Sequence, residues 1–131
     1  MRFVDTSFWV AQQFRRDAHH AVARRLWEDR SSSLLTTNHV IGETWTFLRR
    51  RLGHPEASTF VERAQRSPRL LIIHVDEGTE TDAWAWLHRH DERAYSFVDA
   101  TSFAVMRRRR VSEALAFDGD FSAAGFVEVR P

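Results

Sequence analysis

The stretch Leu70-Leu-Ile-Ile-His-Val75 carries the clearest strand signal in the chain and decides its fold class. A strand with one face in solvent alternates apolar and polar residues, whereas a strand covered on both faces is apolar almost throughout. The unbroken apolar character of this stretch indicates burial on both faces, which is typical of a parallel sheet lying between helices. The stretch therefore predicts an α/β fold.

Further strands and helices alternate on either side of this stretch. The other predicted strands are residues 2–4, 34–36, 114–117 and 126–129. The predicted helices are residues 6–14, 18–29, 38–52, a helix opened by Pro55, 77–89 and 96–106. This alternation favours a sheet covered by helices on both faces. With 131 residues and no linker or repeat, we expect one domain spanning residues 1–131.

Details of the helices also follow from the sequence. Thr6 and Ser7 are expected to cap the first helix, and Asn38 the helix that follows the second strand. In residues 77–89 the spacing of apolar residues predicts Trp84 and Leu87 inward and Trp86 partly exposed.

Composition excludes several classes of site and of protein. There is no cysteine, which rules out disulfides, thiolate nucleophiles and cysteine-based zinc sites. The chain has no apolar run of the roughly 20 residues that a membrane helix needs, and no signal segment precedes the first strand. We expect a soluble cytoplasmic protein with no membrane partner. The net charge is only +1, but the basic residues are all arginine and cluster at residues 49–51 and 107–110. These arginines could bind phosphate, or they could only be solvated residues at the C-terminal ends of helices, where positive charge is favourable.

Four acidic residues stand in distinctive surroundings. Asp5 follows the first strand, Glu43 lies two turns into a helix with apolar neighbours, Asp99 lies in an apolar stretch at the start of a helix, and Asp118 follows the fourth strand. Ligands of open α/β sheets bind outside the carboxyl ends of the strands. Carboxylates gathered there repel one another unless a cation neutralises them, and hard divalent cations prefer oxygen ligands. The four residues therefore predict metal-dependent phosphoryl chemistry.

Each of these residues also has a plainer interpretation. Asp5 and Asp99 could be helix caps only, Glu43 could be a solvated helical residue, and Asp118 with Asp120 could belong to a simple turn around Gly119. No phosphate-binding loop of the Gly-x-Gly-x-x-Gly or Walker type and no Gly-x-Ser-x-Gly nucleophile motif is found. The case for a catalytic site therefore depends on the four acidic residues occurring together, in this order and on these elements.

The acidic blocks together resemble those of a known family. These blocks are Val4-Asp-Thr-Ser7, Thr36-Thr-Asn-His-Val-Ile-Gly-Glu43, Ser96-Phe-Val-Asp-Ala100 and Phe117-Asp-Gly-Asp-Phe121. They resemble the motifs of PIN-domain nucleases, and the small size is similar to that of the VapC-type toxins of bacterial toxin–antitoxin pairs. The resemblance covers the chain from Phe3 to Val127. It implies a three-layer α/β/α PIN-like domain with a central, mainly parallel sheet of four to five strands.

The resemblance also implies a site and its partners. The catalytic and metal-binding quartet would be Asp5, Glu43, Asp99 and Asp118, with Asp120 as a possible further ligand, and the cofactor would be Mg²⁺, with Mn²⁺ possible. The substrate would be a structured RNA such as transfer or ribosomal RNA. The protein partners would be a cognate antitoxin that covers the acidic pocket, often with a basic side chain, and a second copy of the chain in a homodimer.

One position departs from the family pattern. Many relatives carry Ser or Thr two positions before the fourth aspartate, where this chain has Ala116. The missing hydroxyl could otherwise orient a carboxylate or a water. Two other functions therefore stay open, namely a catalytically degenerate PIN domain that binds RNA or a protein without cutting, and, less favoured, a magnesium-dependent phosphatase.

Overall fold

A computed structural model describes all 131 residues and contains one five-stranded sheet in which every neighbouring pair is parallel. The strands are β1 (Arg2–Val4), β2 (Leu34–Thr37), β3 (Leu70–Ile73), β4 (Glu113–Leu115) and β5 (Val127–Glu128). Their order in the sheet is β3-β2-β1-β4-β5, so β1 lies in the centre. Chain order reverses at β1, which has β2 on one side and β4 on the other. In open α/β sheets, ligand sites lie at such a point.

Seven helices connect and flank the strands. They are α1 (Thr6–Gln13), α2 (His20–Glu28), α3 (Asn38–Arg51), α4 (His54–Arg66), α5 (Glu77–Arg89), α6 (Phe97–Arg109) and α7 (Asp120–Ala123). None of them is both long and apolar enough to cross a lipid bilayer.

Helices cover both faces of the central strands. Successive residues of a strand point to opposite faces of the sheet. Phe3 and Val4 of β1 are fully buried, and Leu34 and Leu35 of β2 are at most 1% exposed. This pattern requires packed side chains above and below the sheet. The predicted α/β/α layering and the parallel sheet are confirmed.

The stretch that predicted the sheet is less buried than its sequence indicates. β3 is an edge strand, paired only with β2, and the side chain of Leu71 is 43% exposed. The parallel pairing predicted from this stretch is correct, whereas its burial on both faces is wrong. An apolar run shows that the residues are hydrophobic but does not show whether their strand lies in the centre or at the edge of the sheet.

Two helix caps precede the residues that were expected to cap α1 and α3. The carboxylate of Asp5 caps α1 by accepting a hydrogen bond from the backbone N–H of Ser7, and the hydroxyl of Thr37 caps α3 by accepting one from Val40. The expected caps were Thr6 or Ser7 for α1 and Asn38 for α3, whereas the plainer interpretation of Asp5 as a helix cap is correct. The side-chain oxygen of Asn38 instead accepts a hydrogen bond from the backbone N–H of Val75 and so ties α3 to the end of β3.

The prediction for the tryptophans of α5 is also wrong. Trp86 is 6% exposed and packs edge-on against Tyr95 and Phe103, whereas Trp84 is 58% exposed and stacks on Phe97. Residues two apart on a helix point to nearly opposite sides. Because both are tryptophan, apolar spacing alone did not identify the buried side.

Candidate metal centre

Three aspartates converge at the carboxyl edge of the sheet. Asp5 directly follows β1, Asp118 follows β4, the neighbour of β1, and Asp99 lies in the first turn of α6. One carboxylate oxygen from each lies within 4.8 Å of those of the other two. This spacing allows the three groups to share one cation, directly or through its bound waters.

Asp5 is held rigidly in this cluster. Its side chain is 2% exposed, and its Oδ2 accepts hydrogen bonds from the backbone N–H of Ser7 at 3.1 Å and from the Ser7 hydroxyl at 2.7 Å. The Ser7 oxygen in turn accepts a hydrogen bond from the backbone N–H of Phe117 at 3.0 Å. The serine therefore joins the end of β1 to the chain segment that carries Asp118.

Asp99 is fixed by the start of its own helix. Its backbone N–H donates to the Ser96 hydroxyl at 2.9 Å, and its Oδ2 accepts the backbone N–H of Ser96 at 3.0 Å. Ser96 is the cap of α6, and Asp99 completes the capping box from the first turn of the helix, so Asp99 has a capping role as well as a place in the acidic cluster. With 8% exposure it is a buried carboxylate.

The surroundings disfavour negative charge on all three groups. Burial, and then the charge of Asp118, raises the pKa of Asp5 well above its ordinary value, against the opposing effect of the Ser7 hydrogen bonds. Burial also raises the pKa of Asp99 to about 6. The side chain of Asp118 is exposed at the rim of the cavity. Partial burial of its carboxyl group, and then the charge of Asp120, nevertheless raises the pKa of Asp118.

The donor set fits a hard divalent cation. All three groups offer carboxylate oxygens, and their raised pKa values reflect carboxylates that lack a compensating positive charge. Mg²⁺ and Mn²⁺ prefer oxygen ligands, and Mg²⁺ needs few protein ligands because it keeps several waters. The residues present therefore suit either ion.

Glu43 faces the same cavity from another side. The aspartates and Glu43 line one open cavity of about 330 Å³, whose walls also include His19, Phe47 and Phe117. The side chain of Glu43 is exposed, and its carboxylate is not part of the close group of three. The quartet therefore consists of three clustered carboxylates and one on the wall.

Asp120 lies beside the site rather than in it. Its carboxylate binds Arg93, with Nε at 3.0 Å and a terminal guanidinium nitrogen at 2.9 Å, and it does not line the cavity. Its backbone N–H donates to Oδ1 of Asp118 at 3.0 Å. Through this bond, residue 120 positions the carboxylate of Asp118.

Sequence reasoning missed other parts of the site. The hydroxyl beside Asp5 comes from Ser7, whereas Ala116 is completely buried and its carbonyl accepts a hydrogen bond from Arg130 at 2.9 Å. The position of Ser7, two residues after Asp5 at a helix start, was a usable local signal. His19 and Phe117 come from segments far apart in sequence, and no local pattern marks their contact.

Comparisons with known proteins agree with this geometry. The profile of the PIN domain family matches residues 2–127. The chain is 56% identical to the 23S rRNA-specific endonuclease VapC20 of Mycobacterium tuberculosis over 131 residues, covering all of this chain and 99% of the relative. It is 28% identical to a VapC ribonuclease of Archaeoglobus fulgidus over 124 residues, covering 91% of this chain and 78% of the relative.

A solved structure is equally similar. The crystal structure of M. tuberculosis VapC20, described as a toxin that cleaves the sarcin–ricin loop, superposes with a TM-score of 0.96 at 55% identity, and each chain is covered completely. The family profile matches residues 2–127, and a relative of 56% identity and its fold match over the whole chain, so the protein belongs to the PIN domain family, in its group of VapC-type toxins.

Proposed function

We propose that this chain is a divalent-metal-dependent endoribonuclease that cleaves 23S rRNA and acts as the toxin of a toxin–antitoxin pair. The observation that carries the proposal is the group of carboxylate oxygens from Asp5, Asp99 and Asp118, within 4.8 Å of one another at the carboxyl edge of the sheet. VapC20, at 56% identity, is named for cleavage of 23S rRNA, which supports the same substrate class here.

Asp5, Asp99 and Asp118 would hold the ion, with Glu43 completing the site from the cavity wall. A bound Mg²⁺ or Mn²⁺ supplies charge neutralisation at the scissile phosphate and lowers the pKa of water for hydrolysis. The protein's own contribution is rigidity. Ser7 orients the carboxylate of Asp5 and the Ser96 cap orients that of Asp99, so that these oxygens need little rearrangement during the reaction.

Arginines adjoin the cavity and are suited to the RNA backbone. A second cavity, lined by Thr46, Arg50 and Arg51, shares Glu43 and Phe47 with the acidic one. The guanidinium of Arg51 lies 5.1 Å from the centre of the Phe47 ring, which holds it beside the entrance. Arginine binds phosphate through paired hydrogen bonds. One flank of the RNA would therefore run along this second cavity.

The proposed partners follow from the family. A cognate antitoxin would inhibit the enzyme by covering the acidic cavity, where a basic side chain would meet three carboxylates. The second partner would be another copy of the chain, and the exposed Trp84, stacked on Phe97, is one apolar side chain that such a homodimer could cover. The proposed site of action is the cytoplasm, because a ribosomal RNA substrate would be met there.

The test is cleavage of ribosomes and of isolated 23S rRNA by the purified chain, with the cut located by mapping RNA ends. We expect cleavage with Mg²⁺ or Mn²⁺, loss of cleavage with excess chelator, and loss in Asp5→Asn, whose fold should persist because asparagine keeps an oxygen that can accept the Ser7 hydrogen bonds. Full activity in Asp5→Asn would refute the assignment. Tight binding of RNA without cleavage under all metal conditions would favour a binding-only PIN domain.

A further inference from the structure

Two aromatic rings form a stack on the wall of the acidic cavity. The imidazole of His19 lies parallel to the ring of Phe117, with an interplanar angle of 2° and centroids 4.5 Å apart. Both residues line the same cavity as Asp5, Asp99 and Asp118. Phe117 is half-buried against Phe8, whereas His19 is exposed.

The stack is anchored to the acidic cluster. The backbone N–H of Phe117 donates to the Ser7 hydroxyl at 3.0 Å, and that hydroxyl donates to Asp5 at 2.7 Å. The guanidinium of Arg130 lies 4.7 Å from the centre of the Phe117 ring. On the other side of the contact, the backbone N–H of His19 donates to Oδ1 of Asp17 at 2.8 Å. The hydrogen bonds through Ser7 therefore fix the position of the Phe117 ring, and of the imidazole stacked on it, relative to Asp5.

We propose that the His19–Phe117 stack is a platform for an unpaired base of the RNA substrate, next to the phosphate that is cut. The inference rests on the proposed ribonuclease function and adds a residue that selects the substrate. Proteins that read RNA outside its helices stack unpaired bases on aromatic side chains, including histidine. A phosphate held by the cation that the three aspartates would bind brings its neighbouring nucleotide to this wall, because His19 and Phe117 border the same cavity.

Two features favour a base over other occupants. His19 presents a flat ring at the cavity wall, and a nucleobase offers a flat ring of matching kind, whereas the phosphate and sugar do not. The stack is also sequence-tolerant, because every base has such a face. The platform therefore selects for a base that is free to leave its helix, as in a loop, and not for one particular base.

The test uses catalytically inactive Asp5→Asn protein and short RNA hairpins with the sequence of the sarcin–ricin loop, which VapC20 is described as cleaving. The fluorescent base 2-aminopurine is placed in turn on either side of the mapped cut. We expect fluorescence quenching at one position on binding. The quenching should disappear in Asp5→Asn/His19→Ala and persist in Asp5→Asn/His19→Phe, which keeps the ring but not the imidazole nitrogens. His88→Ala, which removes another exposed histidine that does not line the cavity, is the matched control.

The KM for RNA cleavage by the active protein provides a second test of the platform. Loss of base stacking on one aromatic side chain weakens binding by about 5- to 150-fold. The KM should therefore rise by that factor in His19→Ala, while that of His19→Phe should remain near the parent value. Unchanged quenching and KM in His19→Ala would overturn the platform. So would loss of cleavage in both variants with a normal fold, which would indicate a need for the imidazole itself. If the parent protein cuts no RNA, the proposed function fails first, and the two failures are thereby distinguished.

Discussion

The hydroxyl of Ser7 donates a 2.7 Å hydrogen bond to Oδ2 of Asp5 while accepting one from the backbone N–H of Phe117. One small side chain thereby connects the two central strands at the point where the acidic residues meet. The bond also favours the ionised form of a carboxylate whose pKa burial raises. Ser7 is therefore placed to influence both the stability of this edge of the sheet and the readiness of Asp5 to bind a cation.

Replacing Ser7 with alanine should weaken the fold and the metal site together. The backbone N–H of Phe117 loses its partner, and leaving this partly buried donor unsatisfied costs about 1 kcal/mol. The pKa of Asp5 should rise further, because the lost hydrogen bond is one that lowers it. Urea unfolding and the pH dependence of RNA cleavage would measure the two effects. Ser7→Thr keeps a hydroxyl and is the matched control. A Ser7→Ala protein with unchanged stability and an unchanged pH profile would contradict this account.

Stability in the presence of chelator should depend on pH through Asp99. Its pKa is raised from the ordinary 3.8 to about 6, so between these values the folded state holds a proton that the unfolded state has released. The free energy of unfolding should therefore fall as pH rises from about 4 to about 6. Asp99→Asn removes the contribution of Asp99, while those of Asp5 and Asp118 remain, and should be more stable than the parent at pH 7 by on the order of 3 kcal/mol. Urea unfolding at several pH values measures the difference.

Added Mg²⁺ should oppose this loss of stability with rising pH. A ligand that binds only the folded state stabilises it by mass action, and the carboxylates must lose their protons to bind the ion. Added Mg²⁺ should therefore raise the melting temperature of the parent more at pH 7 than at pH 5, and should have little effect on Asp99→Asn. An equal shift in both proteins would place the ion elsewhere.

Much of this arrangement could be predicted from local sequence. Asp5 and Asp118 each follow a strand, and parallel neighbouring strands end at the same edge, so their proximity follows once the sheet is predicted. The side of α5 that is buried could not be predicted, because Trp84 and Trp86 are equally apolar. The contact of His19 with Phe117 depends on how the connection between α1 and α2 lies against the end of β4, and this is determined by tertiary packing alone.

The structure separates the expected roles of Glu43 and Asp120. Glu43 lines the acidic cavity with an exposed carboxylate, whereas the carboxylate of Asp120 is bound to Arg93 outside it. We expect Glu43→Gln to lower metal-dependent cleavage by about 10- to 100-fold, as for groups that support a metal site. Asp120→Asn keeps the backbone bond to Asp118 and should have a much smaller effect. Initial rates over a range of Mg²⁺ concentrations would compare them. A larger loss in Asp120→Asn than in Glu43→Gln would make Asp120 the ligand.

The salt dependence of RNA binding should identify the arginines that contact phosphate. Arg50 and Arg51 line the cavity that adjoins the acidic one, and each phosphate contact releases condensed counterions. In catalytically inactive Asp5→Asn protein, adding Arg50→Ala or Arg51→Ala should therefore reduce the slope of log affinity against log salt by about 1. Arg66→Ala removes the same charge at the end of α4, from which the chain enters the amino end of β3. This end of the sheet lies opposite the aspartates, so the variant should leave the slope unchanged. Filter binding at several salt concentrations measures the slopes. Equal slopes for all three variants would mean that the RNA does not follow the second cavity.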